Sequence, residues 1–365
     1  MTDPVTEPVT DPGALKLTVY FGESDRCGGR LLGDVLLDLF ERERLQAAIL
    51  MRAVEGFGYK HKLRTDRFLT LSEDLPLAVV AVDERPRIET VLPEVKALVE
   101  GGLITLERAR LSGGEDAHDP YDETKLTVYL GRDERIRGRP AYVQVVDHLH
   151  ESGLAGATVL LGVDGMAHGE RRRARFLSRN VDVPAMVVSV GSRDAVDAAL
   201  RGLDALVAAP IVTLERIRVC KRDGRFLTEP RQLPEQDEQG LGVWQKLMVY
   251  AGEQAKVEGR PLYAELIRRL REEGASGATV LRGVWGFSGD HPPHGDRLFS
   301  LARRVPVVTT LVDTPGEIRR WFRIVDELTG EAGLVTSELV PAFHAVTPER
   351  RFGGLKLARP PAEIG

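Results

Sequence analysis

The chain has 365 residues, of which 42% are hydrophobic, and 55 acidic against 50 basic side chains give a formal net charge of −5. This length and composition are typical of a globular protein with two or three domains, and the charge argues against a nucleic-acid binder. No apolar run approaches the length of a membrane span, and the first residues lack the pattern of a signal peptide. The distant Cys27 and Cys220 support neither a disulfide framework nor a zinc site. We therefore expect a cytoplasmic protein.

One segment of the sequence occurs three times. Lys-Leu-Thr-Val-Tyr at 16–20 recurs at 125–129 and, with Met in place of Thr, at 246–250. The copies start 109 and 121 residues apart, a spacing that fits a small domain rather than a solenoid unit. We therefore predict three tandem domains, at 14–112, 124–220 and 245–346. The predicted linkers are 113–123 and 221–244, and the predicted disordered tails are 1–13 and 347–365.

Within each copy, the pattern predicts strand, helix, strand, long loop, strand, helix, strand. In copy three, the alternating segment 246–250 is the first strand, and apolar residues at helical spacing follow between 263 and 270. Thr314 and Pro315 have the residue types of a helix start, which predicts where the second helix begins. The remaining strands of this copy are predicted at 278–281, 307–312 and 334–337.

This element order, βαββαβ, predicts an α+β fold of the ferredoxin-like type, with two helices on one face of an antiparallel sheet. Strands such as 79–82 are apolar on both faces, so we expect the second face of each sheet to be covered as well. Three copies can cover one another by packing about a pseudo-threefold axis. We therefore expect a monomer that folds as a single-chain pseudo-trimer.

The loop after the second strand of each copy carries glycine, histidine and arginine. Glycine with basic side chains at a strand end suits phosphate, because backbone N–H groups approach the ligand and the basic groups supply countercharge. The candidate ligand-binding residues are Gly56, Gly58, Lys60, His61 and Arg67 in copy one, Gly165, His168 and Arg175 in copy two, and Gly286, His291 and Arg297 in copy three. The structural alternative, in which the glycines serve turns and the arginines lie on an exposed helix face, stays open because such short patterns give many false positives.

Other repeated polar residues are given structural interpretations. The acidic residue of each last strand, at Glu107, Glu215 and Glu338, is expected to be an exposed strand carboxylate. The tyrosines Tyr20, Tyr129 and Tyr250 are expected to pack within the sheet. No GxSxG, HExxH or paired-acid motif occurs, so we expect neither an enzyme nor a metal site, and no cofactor is indicated.

The motifs Lys-Leu-Thr-Val-Tyr-x-Gly, Gly-Arg-Pro-x-Tyr and Gly-Ala-Thr-Val-Leu-x-Gly-Val-x-Gly together resemble a bacterial and archaeal family, domain of unknown function 190 (DUF190). That family is similar to the PII signalling proteins. The resemblance covers nearly all of the three predicted domains and is strongest in copies two and three. Copy one departs from it at Leu31 and Gly33, where the other copies have Pro and Tyr.

The resemblance implies a PII-like fold that trimerises, ligand sites in the clefts between subunits, and a long loop that contacts partners. Members often accompany fluoride channels in operons, which implies a setting in fluoride or ion homeostasis. Our leading hypothesis is therefore a non-enzymatic PII-like regulatory protein that binds a small anionic ligand, such as an adenine nucleotide, between its copies. The alternative is a ligand-free interaction module that docks a membrane channel or a cytoplasmic protein through these loops.

Overall fold

A computed structural model describes residues 13–58, 64–65, 74–110, 122–167, 170–171, 183–208, 210–288, 293–295, 305–330, 333–347 and 349–359. Within these residues, helices and antiparallel strands follow the same order three times. Copy one has β1 (Ala14–Gly22), α1 (Leu32–Arg42), β2 (Ala47–Arg52), β3 (Glu55–Phe57), β4 (Pro76–Glu84), α2 (Arg85–Leu98) and β5 (Gly102–Ala109). Copy two has β6 (Asp122–Gly131), α3 (Ala141–Glu151), β7 (Gly156–Leu161), β8 (Asp164–Ala167), β9 (Pro184–Gly191), α4 (Arg193–Leu206) and β10 (Ile211–Arg222).

Copy three repeats this order. Its elements are β11 (Trp244–Gly252), α5 (Leu262–Glu272), β12 (Ala278–Arg282), β13 (Trp285–Ser288), β14 (Pro306–Asp313), α6 (Pro315–Leu328) and β15 (Leu334–Val340), with β16 (Ala342–Val346) after it. Two-residue strands lie at Arg26–Cys27, Arg30–Leu31, Arg64–Thr65, Arg135–Ile136, Arg139–Pro140, Glu170–Arg171, Arg225–Phe226, Lys256–Val257, Arg260–Pro261, His294–Gly295 and Arg351–Phe352. Among the described residues, no helix is both long and apolar enough to cross a bilayer.

The four long strands of each copy form an antiparallel sheet in the order second, third, first, fourth. In copy one, β1 lies in the middle and pairs with β4 on one side and with β5 on the other. Strand β2 pairs with the outer side of β4. The central position of the first strand places the repeated Lys-x-Thr-x-Tyr residues in the interior of the molecule.

Alternation along β1 separates its two faces. Leu15, Leu17 and Val19 pack in the core beneath α1 and α2, against side chains such as Leu36 and Ile88. The side chains of Lys16, Thr18 and Tyr20 therefore point to the opposite face of the sheet. Because Lys16 and Thr18 are buried as well, neither face of this strand meets water, as the sequence predicts.

The second helix of copy three begins where the sequence predicts. The Thr314 side chain accepts a hydrogen bond from the Glu317 backbone N–H at 3.4 Å, and Pro315 is the first helical residue. This cap satisfies a backbone donor that the helix itself leaves without a partner. Trp321, Phe322 and Val325 then line the buried face of α6.

Short strands join each copy to the next. Strand β3 of copy one pairs with β12 of copy three, β13 of copy three pairs with β7 of copy two, and β8 of copy two pairs with β2 of copy one. We call β3, β8 and β13 the arms. The arm pairings form a closed cycle, so every copy is bonded to both others.

The last strands form a second set of contacts between copies. Strand β10 of copy two pairs with β15 of copy three, and β16 pairs with β5 of copy one. Copies one and two meet at a bridge between Arg110 and Leu214. Strand β16 carries the chain from copy three back to copy one, which closes this cycle too.

The segments outside the copies differ from the sequence predictions. The sequence predicts a disordered tail at 347–365, but Arg351–Phe352 pairs with β16, and Leu355 and Ala358 are buried. The predicted linker 221–244 contributes Leu233 and Val243, which pack with Ala358. The apolar residues of these two segments have no regular period, so the sequence pattern does not indicate that the segments are packed.

Candidate functional site

Three of the glycines that the sequence marks as ligand-binding lie in the arms. A Cβ added at Gly56, Gly165 or Gly286 would lie 2.5, 2.4 or 2.1 Å from a backbone oxygen of the neighbouring copy. Contacts this short cannot occur in a packed structure, so only glycine lets each arm lie against the next copy. The glycines therefore have a structural role in joining the copies, and their part in ligand binding remains a prediction.

Gly58 is in a different position. A Cβ there would meet nothing within 4 Å, and the residue lines a cavity. The basic members of the predicted set, Lys60, His61, Arg67, His168, Arg175, His291 and Arg297, lie outside the described residues.

The cavity that Gly58 lines has a volume of about 400 Å³ and lies between copies one and three. Copy one contributes the end of β1, the start of β5 and the residues around Gly58. Copy three contributes the starts of β11 and β12 and the end of β14. The chain after copy three adds Ala345, Val346, Thr347 and Phe352. We call this cavity the 1–3 cleft.

One wall of the 1–3 cleft is aromatic. Trp244 and Phe352 line it, with ring centroids 5.9 Å apart. Phe343 stacks on Trp244 at a centroid distance of 4.1 Å and an interplanar angle of 18°, which fixes the indole orientation. Phe352 remains 41% exposed. The wall therefore presents two apolar rings, tilted by 51° to each other: the edge of a largely buried indole, 7% exposed, and the more exposed ring of Phe352.

The polar residues of the cleft lie at the ends of strands. Arg64 forms an ion pair of 2.7 Å with Asp74. Asp25 accepts a hydrogen bond from the Gly22 N–H at 2.8 Å. Asp313 accepts from Ser276 Oγ at 2.9 Å and from Trp321 Nε1 at 3.2 Å. These bonds hold the side chains in place around an aromatic surface, an arrangement typical of a small-molecule site.

A closed ring of ion pairs lies where the three copies meet. Its six members come in equal number from each copy, and all are buried: Lys16, Lys125, Lys246, Glu107, Glu215 and Glu338. Each lysine contacts the glutamate of its own copy and that of a neighbour. The contacts are Lys16 with Glu107 (2.8 Å) and Glu215, Lys125 with Glu215 (3.2 Å) and Glu338 (2.5 Å), and Lys246 with Glu338 (2.7 Å) and Glu107. The ring has no net formal charge.

The ring shifts the pKa values of its members. Burial alone would raise the pKa of Glu338, but Lys125 and Lys246 outweigh it and lower that pKa to about 2. Glu107 responds in the same way to Lys16 and Lys246, and its pKa lies well below the usual range. Burial disfavours charge on Lys16 too, yet Glu107 and Glu215 raise its pKa. In Lys125 burial has the larger effect and lowers the pKa.

The expectation of exposed strand carboxylates is wrong. Glu107, Glu215 and Glu338 are only 2%, 4% and 4% exposed, because their strands face the other copies rather than water. Their carboxylate oxygens lie within 4.8 Å of one another, a spacing that could hold a metal ion. However, each carboxylate is already neutralised by two lysines. This arrangement locks the copies together rather than offering a free ligand set.

The repeated tyrosines lie next to the ring of lysines and glutamates, further along the first strand of each copy. They are Tyr20, Tyr129 and Tyr250, each four residues along from its ring lysine on the same face of the strand. Burial raises the pKa of Tyr20 to about 12 and also raises the pKa values of Tyr129 and Tyr250. Tyr20 lines the 1–3 cleft, so the buried centre of the molecule and the cleft adjoin at this residue.

The residues that distinguish the 1–3 cleft were not predicted from the sequence. Trp244 and Thr310 differ from both other copies at their positions, and Phe352 follows the last copy. Thr279 and Asp313 also line the cleft but have identical counterparts in Thr158 of copy two and Asp83 of copy one. The one available signal was divergence between copies: Trp244 stands where copies one and two have Ala14 and Glu123. Phe352 gives no signal, because it lies in a segment without a repeat.

The fold and these contacts define a tandem α/β protein whose three copies share one buried centre. The chain belongs to the DUF190 family, described as "Uncharacterized ACR", whose model matches residues 14–111, 123–219 and 244–342. A UPF0166 protein of Aquifex aeolicus (strain VF5) is 32% identical over 99 residues, which is 27% of this chain and 91% of that protein. A UPF0166 protein of Methanocaldococcus jannaschii is 33% identical over 89 residues, 24% of this chain and 82% of the relative. Each relative thus corresponds to a single copy.

Two solved structures align weakly with the chain. An aspartate kinase from Synechocystis aligns with a TM-score of 0.26 at 11% identity, over 93% of this chain and 46% of the kinase. An anthrone oxidase-like protein aligns with a TM-score of 0.17 at 12% identity, over 56% of this chain and 91% of that one. Alignments at this level carry no inference about fold or function.

Proposed function

We propose that this protein is a non-enzymatic, PII-like regulatory protein that binds a small ligand in the 1–3 cleft. Its three copies are ferredoxin-like domains arranged as a pseudo-trimer about the ring of lysines and glutamates. The strand order, the closed cycle of arm pairings and the equal contribution of each copy to the ring support this arrangement.

The observation that carries the ligand-binding proposal is the 1–3 cleft itself. Its volume of about 400 Å³ falls in the range of small-molecule sites, and its lining combines an aromatic wall with a few fixed polar groups. The cleft also contacts Gly58 and Arg64, which flank residues 59–63 of the loop after the second strand, and Pro76, where the third strand begins. A ligand in the cleft would therefore touch that loop at several points, and this is how binding would be signalled to a partner.

Adenine nucleotides are the first ligand class that we propose. Trp244 and Phe352 offer surfaces for a base, since aromatic side chains stack on bases with little regard to sequence. Arg64 lies in the cleft but is paired with Asp74, and Asp25 and Asp313 also line it. The positive charge for phosphate would therefore come from Lys60 and Arg67, which are close to Arg64 in the chain. The setting that we propose is fluoride or ion homeostasis in the cytoplasm, with a channel or another protein as the partner.

A thermal-shift screen of the purified chain tests this function. The panel contains adenine and guanine nucleotides, cyclic nucleotides, fluoride and divalent metals, and calorimetry follows each hit. A ligand present at about 100 times its Kd adds roughly 2.7 kcal/mol to the free energy of unfolding and raises the midpoint visibly. No shift with any compound would overturn the sensor and favour the ligand-free docking module, which partner capture with the loops intact would then examine.

A further inference from the structure

The three clefts between copies are built from equivalent positions and can be compared residue by residue. Thr279, Thr158 and Ile49 hold the same place in copies three, two and one, because each pairs with the arm glycine of a neighbouring copy. The residues beside them on the adjacent strand are Thr310, Val188 and Val80. We name the other two clefts, after their copies, the 2–3 cleft and the 1–2 cleft.

The 1–2 cleft is filled by apolar side chains. Ile49 and Val82 of copy one are fully buried there, in one cluster with Tyr129 and Ile211 of copy two. Tyr129 is 3% exposed, whereas its counterpart Tyr20 lines the open cavity between copies one and three. The larger Ile side chain where copy three has Thr279 closes this cleft.

The 2–3 cleft is closed in a different way. Glu123 stands where copy three has Trp244, and it forms an ion pair of 2.5 Å with Arg222. Val190, Ile217 and Val219 of copy two pack with Leu334 of copy three in the same region. An ion pair thus stands where the 1–3 cleft has the indole of its aromatic wall.

The 1–3 cleft has neither the isoleucine of the 1–2 cleft nor the ion pair of the 2–3 cleft. Thr310 stands where the other copies have valine, and Trp244 replaces the glutamate of the ion pair. An apolar cluster equivalent to that of the 2–3 cleft is present, with Val312, Val340 and Leu103 packed around Trp244. Its outer wall comes from the chain after copy three, which supplies the exposed ring of Phe352. In a symmetric trimer of identical single-copy chains the three clefts would be identical, because identical chains form identical interfaces. Only a chain with three different copies can have clefts that differ in this way.

Resting on the proposed function, we infer that the 1–3 cleft is the single open site among the clefts formed by the described residues, and that it binds one planar aromatic ring per chain against Trp244 and Phe352. The fused repeat has thus kept one site and turned the other two clefts into packing interfaces.

Thiol reactivity tests the open cleft without a known ligand. In a Cys27→Ser background, cysteine is introduced separately as Thr279→Cys, Thr158→Cys and Ile49→Cys, and reaction with methyl methanethiosulfonate is followed. The cysteine at 279 should react several-fold faster than the other two, since Thr279 lines the cavity and is 8% exposed, whereas Thr158 is 4% exposed and Ile49 is fully buried. Comparable rates at two or three positions would overturn the single-site inference. Cys220 is buried and serves as the internal reference for an inaccessible thiol.

Fluorine NMR of protein containing 5-fluorotryptophan tests whether an aromatic ligand ring lies against Trp244. The three tryptophans report separately: Trp244 on the 1–3 cleft, Trp285 on the arm between copies two and three, and Trp321 on the core of copy three. Adenosine and adenosine 5′-monophosphate should shift the Trp244 signal alone, which Trp244→Phe identifies, and calorimetry should give one molecule per chain.

The outcomes separate this inference from the function on which it rests. A shift at Trp285, or two or three molecules per chain, would overturn the single site and leave ligand sensing intact. If other compounds of the screen bind but neither adenosine nor adenosine 5′-monophosphate shifts the Trp244 signal, the inference that the cleft binds an aromatic ring would be overturned. Slow thiol reaction at 279 together with no hit in the screen would contradict both the inference and the proposed function.

Discussion

Lys125 and Glu338 lie 213 positions apart in the chain, yet Nζ of the lysine and Oε2 of the glutamate are 2.5 Å apart in the buried centre of the molecule. The lysine belongs to copy two and the glutamate to copy three. The same contact recurs between the other copies, so the ring can form only when all three are docked in one register. The ring therefore specifies how the copies assemble.

Removing one charge from the ring should be strongly destabilising. Glu338→Gln leaves Lys125 and Lys246 with one carboxylate fewer in a site that excludes water. Breaking a buried ion pair in this way costs about 3–5 kcal/mol, which urea unfolding should detect as a lower midpoint. The control is Glu327→Gln, which removes the exposed pair with Arg269 and should cost less than about 1 kcal/mol. Equal effects of the two substitutions would contradict the role of the ring.

The ring should also make the protein sensitive to acid. The folded-state pKa values of Glu107 and Glu338 lie below the usual 4.5, so their stabilisation is present above that pH and is lost as the pH falls through the lowered values, about 2 for Glu338. The urea midpoint should therefore fall steadily between about pH 5 and about pH 2. In the Glu338→Gln variant this decrease should be smaller, because one of the titrating groups is gone.

The arm glycines should be needed for stability whether or not a ligand is bound. A methyl group at Gly56 would lie 2.5 Å from the Ala278 oxygen, whereas one at Gly58 would meet nothing within 4 Å. We expect Gly56→Ala to cost about 1–3 kcal/mol, since the arm must move away from copy three. Gly58→Ala lies on the same segment and should leave the thermal midpoint nearly unchanged. If both variants unfold alike, close approach of the arm is not the reason for glycine at 56.

Phe352 should contribute to ligand binding more than to folding. Its ring is 41% exposed at the edge of the 1–3 cleft, so Phe352→Ala should change the unfolding midpoint little. Loss of one aromatic contact should weaken binding of a nucleotide hit by roughly threefold to tenfold in calorimetry. Phe226→Ala is the matched control, because Phe226 is 53% exposed in the equivalent hairpin after β10 and lies outside the cleft. A similar loss of affinity in both variants would place the ligand elsewhere.

The repeat made much of the fold predictable. The same element order, found three times, follows from alternating and helical patterns that recur in each copy, and the start of α6 follows from Thr314 and Pro315. The burial of Glu107 was missed because a strand glutamate is usually exposed, and only docking against the other copies removes it from water. A lysine and a glutamate kept in all three copies could have indicated charge pairing between them.

The site was less predictable for a physical reason. A repeat reveals what the copies share, and that is mainly the packing between them, as the arm glycines illustrate. The 1–3 cleft depends on what they do not share, namely Trp244, Thr310 and Phe352 beyond the last copy. Residues that differ between copies carry no pattern and become a site only when the chain folds.

A crystal structure of the chain with the tightest-binding compound of the ligand screen would show directly whether the 1–3 cleft is the binding site. We expect difference density for one molecule per chain, in the 1–3 cleft, with a ring against Trp244 and Phe352 and the rest of the molecule toward Gly58 and Arg64. Density in the 2–3 cleft, in the 1–2 cleft or on the outer surface, with the 1–3 cleft empty, would contradict it.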